Sequence, residues 1–204
     1  MFLNKTVFKK WIKEAYNSGI LVVGRVFDGL VLAGSHWIVW ADEEHVPNWV
    51  KAAVIEHVGH LPSEGTMIQY GKGELDQYVD ADDWMNLPKQ FLEAKQSYTV
   101  TPIVYQGGYF SYRAIQNKDN LKLLALPEPL YGVIDFSNLE RSGGDPNRKP
   151  ESRPAGPAAQ AHMPEMLYWK NEQSALALRI MGPSEKLFDD VVARLSDIDF
   201  WEVK

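Results

Sequence analysis

Histidines are the side chains of this sequence that most readily suggest chemistry, because four of the five lie between positions 36 and 60. Three imidazoles with one carboxylate, such as Asp42 or Glu56, supply the ligand types of a zinc or iron site. His57 and His60 are close together in EHVGH, a spacing that allows ligation from one helix, although HExxH is absent. His36, His57 and His60 are therefore the candidate metal ligands, while a histidine in the last turn of a helix also has a purely structural explanation.

The sequence contains few residue patterns that are typical of acid–base or nucleophilic catalysis. Asp80, Asp82 and Asp83 lie in a segment expected to be exposed, where carboxylates remain ordinary solvated acids. Ser35 precedes His36, but adjacent side chains of a strand point to opposite faces, so the two cannot act as a nucleophile–base pair. The sequence contains no GxSxG elbow, no GxGxxG and no P-loop. We therefore expect a protein without catalytic activity and without a cofactor.

Aromatic and basic residues mark two candidate binding surfaces. Tyr109 and Tyr112 belong to VYQGGYFSY, a predicted hairpin whose rings could stack on a base or sugar, with one strand face left for the core. Lys9, Lys10 and Lys13 cluster in the first helical segment, where they form either a solvated helix face or a local basic surface for nucleic acid. Both surfaces are compatible with binding and require no catalytic chemistry.

A third candidate surface is the segment SGGDPNRKPESRPAGPAAQAHMP, which contains no Val, Ile, Leu, Phe, Tyr or Trp. Its prolines and glycines predict a long loop over residues 141–164 that lacks a regular strand ladder. Loops of this length are typically functional connections or linkers. Its basic side chains are candidates for contact with an acidic partner, and they are Arg148 and Lys149 together with Arg141 and Arg153.

Composition narrows the function classes further. The chain has no cysteine, which excludes disulfides, thiolate metal ligands and a cysteine nucleophile. Its net charge of −6 argues against binding nucleic acid over the whole surface. No run approaches the roughly 20 apolar residues that span a bilayer, and the lysines near the N-terminus do not fit a signal peptide. We expect a cytoplasmic protein without membrane association, whose many aromatic side chains fill the core.

The first part of the chain alternates between helical and strand patterns. An apolar stripe predicts a helix over 6–16, and Asp28-Gly29 predicts the turn of a hairpin with strands at about 20–27 and 30–33. Further predictions are a strand at 37–40, a helix from Pro47 to Gly59, a strand at 67–70, and a helix from about Pro88 that carries Phe91, Leu92 and Ala94 inward.

The second part is dominated by β patterns. Four runs, SYTVTPIVY, YFSYRAIQ, LKLLALP and LYGVIDF, are separated by turn-forming residues and predict an antiparallel meander. MLYWKNEQSALALRIM predicts a hairpin, and PSEKLFDDVVARL predicts a helix capped by Ser184.

Together these patterns predict an α+β protein with a mostly antiparallel sheet and about four helices packed on it. We expect a single compact domain over residues 1–204, with two similar halves, 1–95 and 96–204, as a possibility. The function expected first is non-catalytic binding of a protein partner or self-association. Alternatives are a DNA-associated scaffold, whose layout distantly resembles sliding-clamp domains, and a metal-dependent hydrolase built on the histidines between His36 and His60.

Overall fold

A computed structural model describes residues 1–107, 110–136, 153–180, 185–195 and 197–202. Its helices are α1 (Lys5–Asn17), α2 (Asn48–Val58), α3 (Leu87–Glu93), α4 (Glu128–Tyr131) and α5 (Glu185–Leu195), with single 3-10 turns at Glu43–His45 and Asp83–Met85. Its strands are β1 (Leu21–Val26), β2 (Gly29–Ala33), β3 (Trp37–Asp42), β4 (Met67–Tyr70), β5 (Gln77–Tyr78), β6 (Gln96–Gly107), β7 (Phe110–Asn117), β8 (Leu123–Pro127), β9 (Ala155–Gln160), β10 (Met163–Lys170) and β11 (Ser174–Arg179).

Within these ranges, eleven strands form one antiparallel sheet in the order β5-β4-β1-β2-β3-β11-β10-β9-β6-β7-β8. The predicted mostly antiparallel sheet is therefore confirmed, and the sheet dominates the molecule. Strands β1–β5 occupy one side and β6–β11 the other, and the two groups meet where β3 pairs with β11 through Val39 and Leu176. Similarity between the halves stays a prediction. No described helix has the length and apolar character needed to cross a bilayer.

The two faces of the sheet are covered by different helices. Helices α1 and α2 pack over one face, where Phe8 meets Trp37 edge-on with ring centroids 5.4 Å apart and Trp11 stacks on Trp37 at 5.7 Å. Helix α3 covers the opposite face, where Leu87 is fully buried beside Ile38. The tryptophans of α1 and β3 thus fill the core, as expected for large aromatic rings.

The first hairpin turns one residue earlier than predicted. Phe27 and Asp28 both have a φ of 55°, so they form the two-residue turn, and Gly29 begins β2 opposite Val26. Glycine is required at position 29 for another reason: a Cβ there would lie 2.4 Å from the carbonyl oxygen of Ala41. The indole of Trp40 crosses the same space and donates its N–H to the carbonyl oxygen of Phe27 at 3.0 Å.

Two further predictions are wrong in detail. LYGVIDF does not form a fourth strand, because Pro129 lies in the first turn of α4 and the chain then turns until Ile134 bridges to Leu3. In α3, Leu92 points outward with 68% of its surface exposed, and the buried polar Gln90 takes the inward position.

The predicted long loop over 141–164 is also only partly correct, since Ala155–Gln160 forms β9 inside the sheet and Met163 begins β10. Residues 137–152 lie outside the described residues. Strand β9 tolerates Pro157 because the β9–β10 register is irregular, leaving gaps in the ladder where a missing N–H costs little. Its small residues allow close backbone approach: a Cβ on Gly156 would lie 2.5 Å from the carbonyl oxygen of Tyr168.

Candidate functional site

The three candidate metal ligands have different surroundings in the structure. His57 on α2 stacks on Tyr16 of α1, with ring centroids 5.2 Å apart and an interplanar angle of 19°. His60 is exposed beyond the end of α2, whereas His36 lies just before β3. Among the residues that the structure describes, no group of three or more His, Cys, Asp or Glu side chains could hold a metal ion. The described part of the chain therefore offers no assembled ligand set to a metal-dependent hydrolase.

The lysines of α1 form a solvated helix face. Lys10 and Lys13 are exposed and Lys9 is half-buried. The Lys10 ammonium lies 3.6 Å from the carboxylate of Glu14 one turn later, a surface pair of small energetic weight. None of these lysines lines the cleft described below.

Part of the predicted aromatic hairpin is buried inside the protein, while Phe110 is 52% exposed. Tyr105 and Tyr112 are opposite each other on β6 and β7 and stack with ring centroids 5.8 Å apart. Tyr112 is only 7% exposed, and burial raises the pKa of the Tyr105 phenol to about 12. Three other candidate binding residues, Tyr109, Arg148 and Lys149, lie outside the described residues.

A cleft of about 570 Å³ lies where the first half of β6 and the end of β7 meet β9, α4 and the C-terminal turn. We call it the basic cleft. The described residues that line it include three cationic side chains and no carboxylate. The cations are Arg113 on β7, Lys118 just after β7 and Arg153 just before β9. The remaining walls are Tyr98, Thr99, Val100, Thr101, Pro102, Tyr131, Phe136, Pro154, Gly156, Pro157, Trp169 and Trp201.

Arg113 is held rigidly by partners on two elements. Its guanidinium forms a two-point ion pair with Glu128 of α4, in which Nε donates to Oε2 at 2.8 Å and Nη2 donates to Oε1. Nη1 donates to the carbonyl oxygen of Thr101 at 3.2 Å, and the guanidinium carbon lies 4.9 Å from the ring centroid of Tyr131. The hydrogen bonds to Glu128 raise the pKa of Arg113. Because its charge is already compensated, Arg113 mainly shapes the wall.

Lys118 has no such compensation. Its ammonium lies 3.5 Å from the ring centroid of Trp201, and no carboxylate of the described residues forms an ion pair with it. The buried amide of Gln116 places Trp201 there, since it donates to the carbonyl oxygen of Ile198 at 2.8 Å and accepts from the backbone N–H of Phe200 at 2.9 Å. The C-terminal turn is thus fastened to β7 and becomes one wall of the cleft.

Arg153 and Thr99 are two further polar residues of the lining. The guanidinium carbon of Arg153 lies 5.3 Å from the ring centroid of Phe136, and Arg153 is exposed. The Thr99 hydroxyl oxygen is buried and has no hydrogen-bond partner among the described residues. Lys118 and Arg153 lie against aromatic faces, which do not neutralise a cation, whereas Arg113 is paired with Glu128. The described lining is therefore suited to an anion near Lys118 and Arg153.

Sequence reasoning identified Arg153 as a basic contact residue but did not identify Arg113, Lys118 or Trp201 as parts of a site. Lys118 and Trp201 are 83 positions apart in the sequence. Only the position of β7 beside the C-terminal turn brings them together, and no local pattern reports that contact. No protein-family model, curated protein or solved structure matches this chain.

Proposed function

We propose that this chain is a cytoplasmic, non-catalytic binding protein that holds an acidic segment of a protein partner in the basic cleft. The observation that carries the proposal is the charge of the cleft. Among the described residues that line it are three cations and no carboxylate, although the whole chain has 27 acidic and 21 basic residues. Arg113 is paired with Glu128 outside the lining, so Lys118 and Arg153 carry the argument. Local positive charge on an acidic protein attracts an acidic segment of a partner to that part of the surface.

Two of the cations form no ion pair with a carboxylate of the described residues. Lys118 and Arg153 each rest on one aromatic face and line the cleft, and we infer that their remaining donors bind a carboxylate of the partner. The guanidinium of Arg113 is already paired with Glu128, so Arg113 shapes the wall of the cleft and is not expected to bind the partner's carboxylate.

Ring exposure favours an acidic peptide over single-stranded nucleic acid. Unpaired bases need exposed rings on which to stack. Trp169 and Tyr98 line the cleft but are only 1% and 5% exposed, whereas Trp201 is 61% exposed. Trp201 is the most exposed of these three rings and Lys118 already covers one of its faces, so these rings offer little surface for stacked bases. Carboxylates spaced along a peptide need only the cations.

The test is fluorescence anisotropy with labelled octaglutamate and a labelled eight-nucleotide dT strand, at about 50 and about 200 mM salt. We expect octaglutamate to bind and to lose affinity as salt rises. Replacing both Lys118→Gln and Arg153→Gln should weaken octaglutamate binding at least about tenfold. The matched control, Lys10→Gln with Lys13→Gln, removes the same charge from α1 and should leave the affinity unchanged.

Other outcomes separate the alternatives. Tighter binding of the dT strand, lost in the Lys10 and Lys13 variant, would support the DNA-associated scaffold and contradict this proposal. Equal losses in both double variants would show a general charge effect with no specific cleft. No binding of octaglutamate at low salt would also overturn the proposal.

A further inference from the structure

A second pocket, of about 280 Å³, lies on the face of the sheet that α3 covers, at the ends of β3, β10 and β11. Three cross-strand neighbours form its outer row. The backbone N–H of Arg179 donates to the carbonyl oxygen of His36 at 2.9 Å, and Met166 pairs with Arg179 across β10 and β11. The next row inward contains Ile38 and Tyr168. We call this the His36 pocket.

The body of the His36 pocket is apolar and flexible. Met163 and Met166 of β10 supply thioethers, and Ile38 supplies a branched side chain. Trp84, from the 3-10 turn before α3, closes one side while 45% of its surface stays exposed, and its ring N–H donates to Asp82 at 3.2 Å. Methionine and indole surfaces adapt to aromatic or branched apolar groups of different shape.

Arg179 and His36 supply the polar side chains of the outer row. Arg179 is exposed and forms no ion pair with a described carboxylate. The Nδ1 atom of His36 is buried and has no hydrogen-bond partner among the described residues. Glu165, also at the rim, is the one carboxylate among the residues that line the pocket. An apolar body beside one guanidinium and one imidazole is complementary to a molecule that is apolar except for one anionic end.

We propose that the His36 pocket binds a small amphipathic monocarboxylate, separately from the basic cleft. The apolar body of the ligand lies against Trp84, Met163 and Met166, and its carboxylate pairs with Arg179. The neighbouring imidazole of His36 takes part in a hydrogen bond with the same carboxylate or with a ligand hydroxyl. A single charge fits better than a dianion, because Glu165 at the rim repels additional negative charge.

The probe for this site is 3-phenylpropionate, compared with neutral 3-phenylpropanol and with the dianion phenyl phosphate. Binding is followed through the ¹³C methyl signals of the six methionines, which include Met163 and Met166. We expect 3-phenylpropionate to shift these two signals at concentrations at least about tenfold lower than 3-phenylpropanol does. Phenyl phosphate should bind more weakly than the monocarboxylate.

Two variants make the test specific. Arg179→Gln alters an exposed side chain and should abolish the preference for the acid over the alcohol. Arg194→Gln, which removes an exposed arginine from α5, should retain the preference. The proposal is overturned if Met163 and Met166 do not respond to 3-phenylpropionate, if Arg179→Gln binds the acid as well as the native chain does, or if phenyl phosphate binds more tightly.

Discussion

The Lys118 ammonium lies 3.5 Å from the ring centroid of Trp201, and this contact ties the end of β7 to the C-terminal turn. The Trp201 indole lines the cleft and stays 61% exposed beside this cation. A cation resting on an exposed ring stabilises the pair by only about 0.5–1 kcal/mol. The pair therefore contributes more to the shape and charge of the basic cleft than to the stability of the fold.

Replacing Trp201→Ala should weaken octaglutamate binding about tenfold, because Lys118 loses the surface that positions it. The free energy of unfolding should fall by less than about 1 kcal/mol. Trp84→Ala removes another partly exposed indole outside the cleft and should leave octaglutamate binding unchanged. Anisotropy and urea denaturation measure the two quantities, and equal losses of affinity in both variants would contradict the assignment.

Replacing Gln116→Ala should lower the free energy of unfolding by about 1–3 kcal/mol, because the buried amide loses its bonds to Leu121, Ile198 and Phe200. The backbone N–H of Phe200 should then exchange with solvent much faster. Gln77→Ala, at an exposed position of β5, is the matched control and should change stability by less than about 0.5 kcal/mol. Unchanged exchange at Phe200 would show that Gln116 does not hold the C-terminal turn.

Replacing Gly156→Ala should destabilise the fold by about 2–4 kcal/mol. Its φ is 114°, and the added Cβ would meet the Tyr168 carbonyl oxygen at 2.5 Å. Gly65→Ala provides the comparison, since Gly65 also has a positive φ of 77° but has open space around it. The control should cost only about 1 kcal/mol, so similar urea midpoints for the two variants would argue against the close packing of β9 on β10.

Stability should depend on His36 below neutral pH. Burial lowers the pKa of His36 below its ordinary 6.5, and the charge of Arg179 lowers it further. His36 lines two cavities, and Glu165 lines one of them and Glu14 the other. Above pH 6.5 both folded and unfolded states keep the imidazole neutral. As pH falls through 6.5, the unfolded state binds the proton first, so the stability present at higher pH is lost down to the lower folded pKa.

Urea denaturation at about pH 7.5 and about pH 5 measures this loss. The native chain should lose more free energy of unfolding between the two values than the His36→Gln variant does. The exposed His60 supplies the control, and His60→Gln should behave like the native chain. An identical pH dependence in the native and His36→Gln proteins would show that the environment of His36 does not favour the neutral imidazole.

Much of the fold was predictable because its elements carry strong local patterns. The apolar stripe of α1 and the strand pattern of β3 both report burial directly, since their large side chains repeat at the period of the element. Strand β9 was missed because AGPAAQ contains no large apolar side chain, and its place in the sheet depends on the close approach that Gly156 allows to Tyr168.

The basic cleft could not be predicted from local sequence patterns, for a different physical reason. Arg113 and Lys118 lie on or just after a strand whose pattern predicts only alternation, and their aromatic partners come from α4 and the C-terminal turn. Contacts between such distant segments depend on the strand order, which places β9 between β10 and β6. Arg153 was identified as a basic residue because the sequence shows the charge of each side chain. The sequence does not show which distant side chains come together in the fold.

The most direct test of the central claim is a titration of the protein with octaglutamate, followed through the indole N–H signals of its seven tryptophans and the backbone signals of α1. If the basic cleft holds the acidic segment, the Trp201 indole signal shifts in a saturable manner, while the signals of the core Trp11 and of Lys10 and Lys13 stay in place. A Trp201 signal that remains unchanged while the signals of Lys10 and Lys13 move would contradict the account.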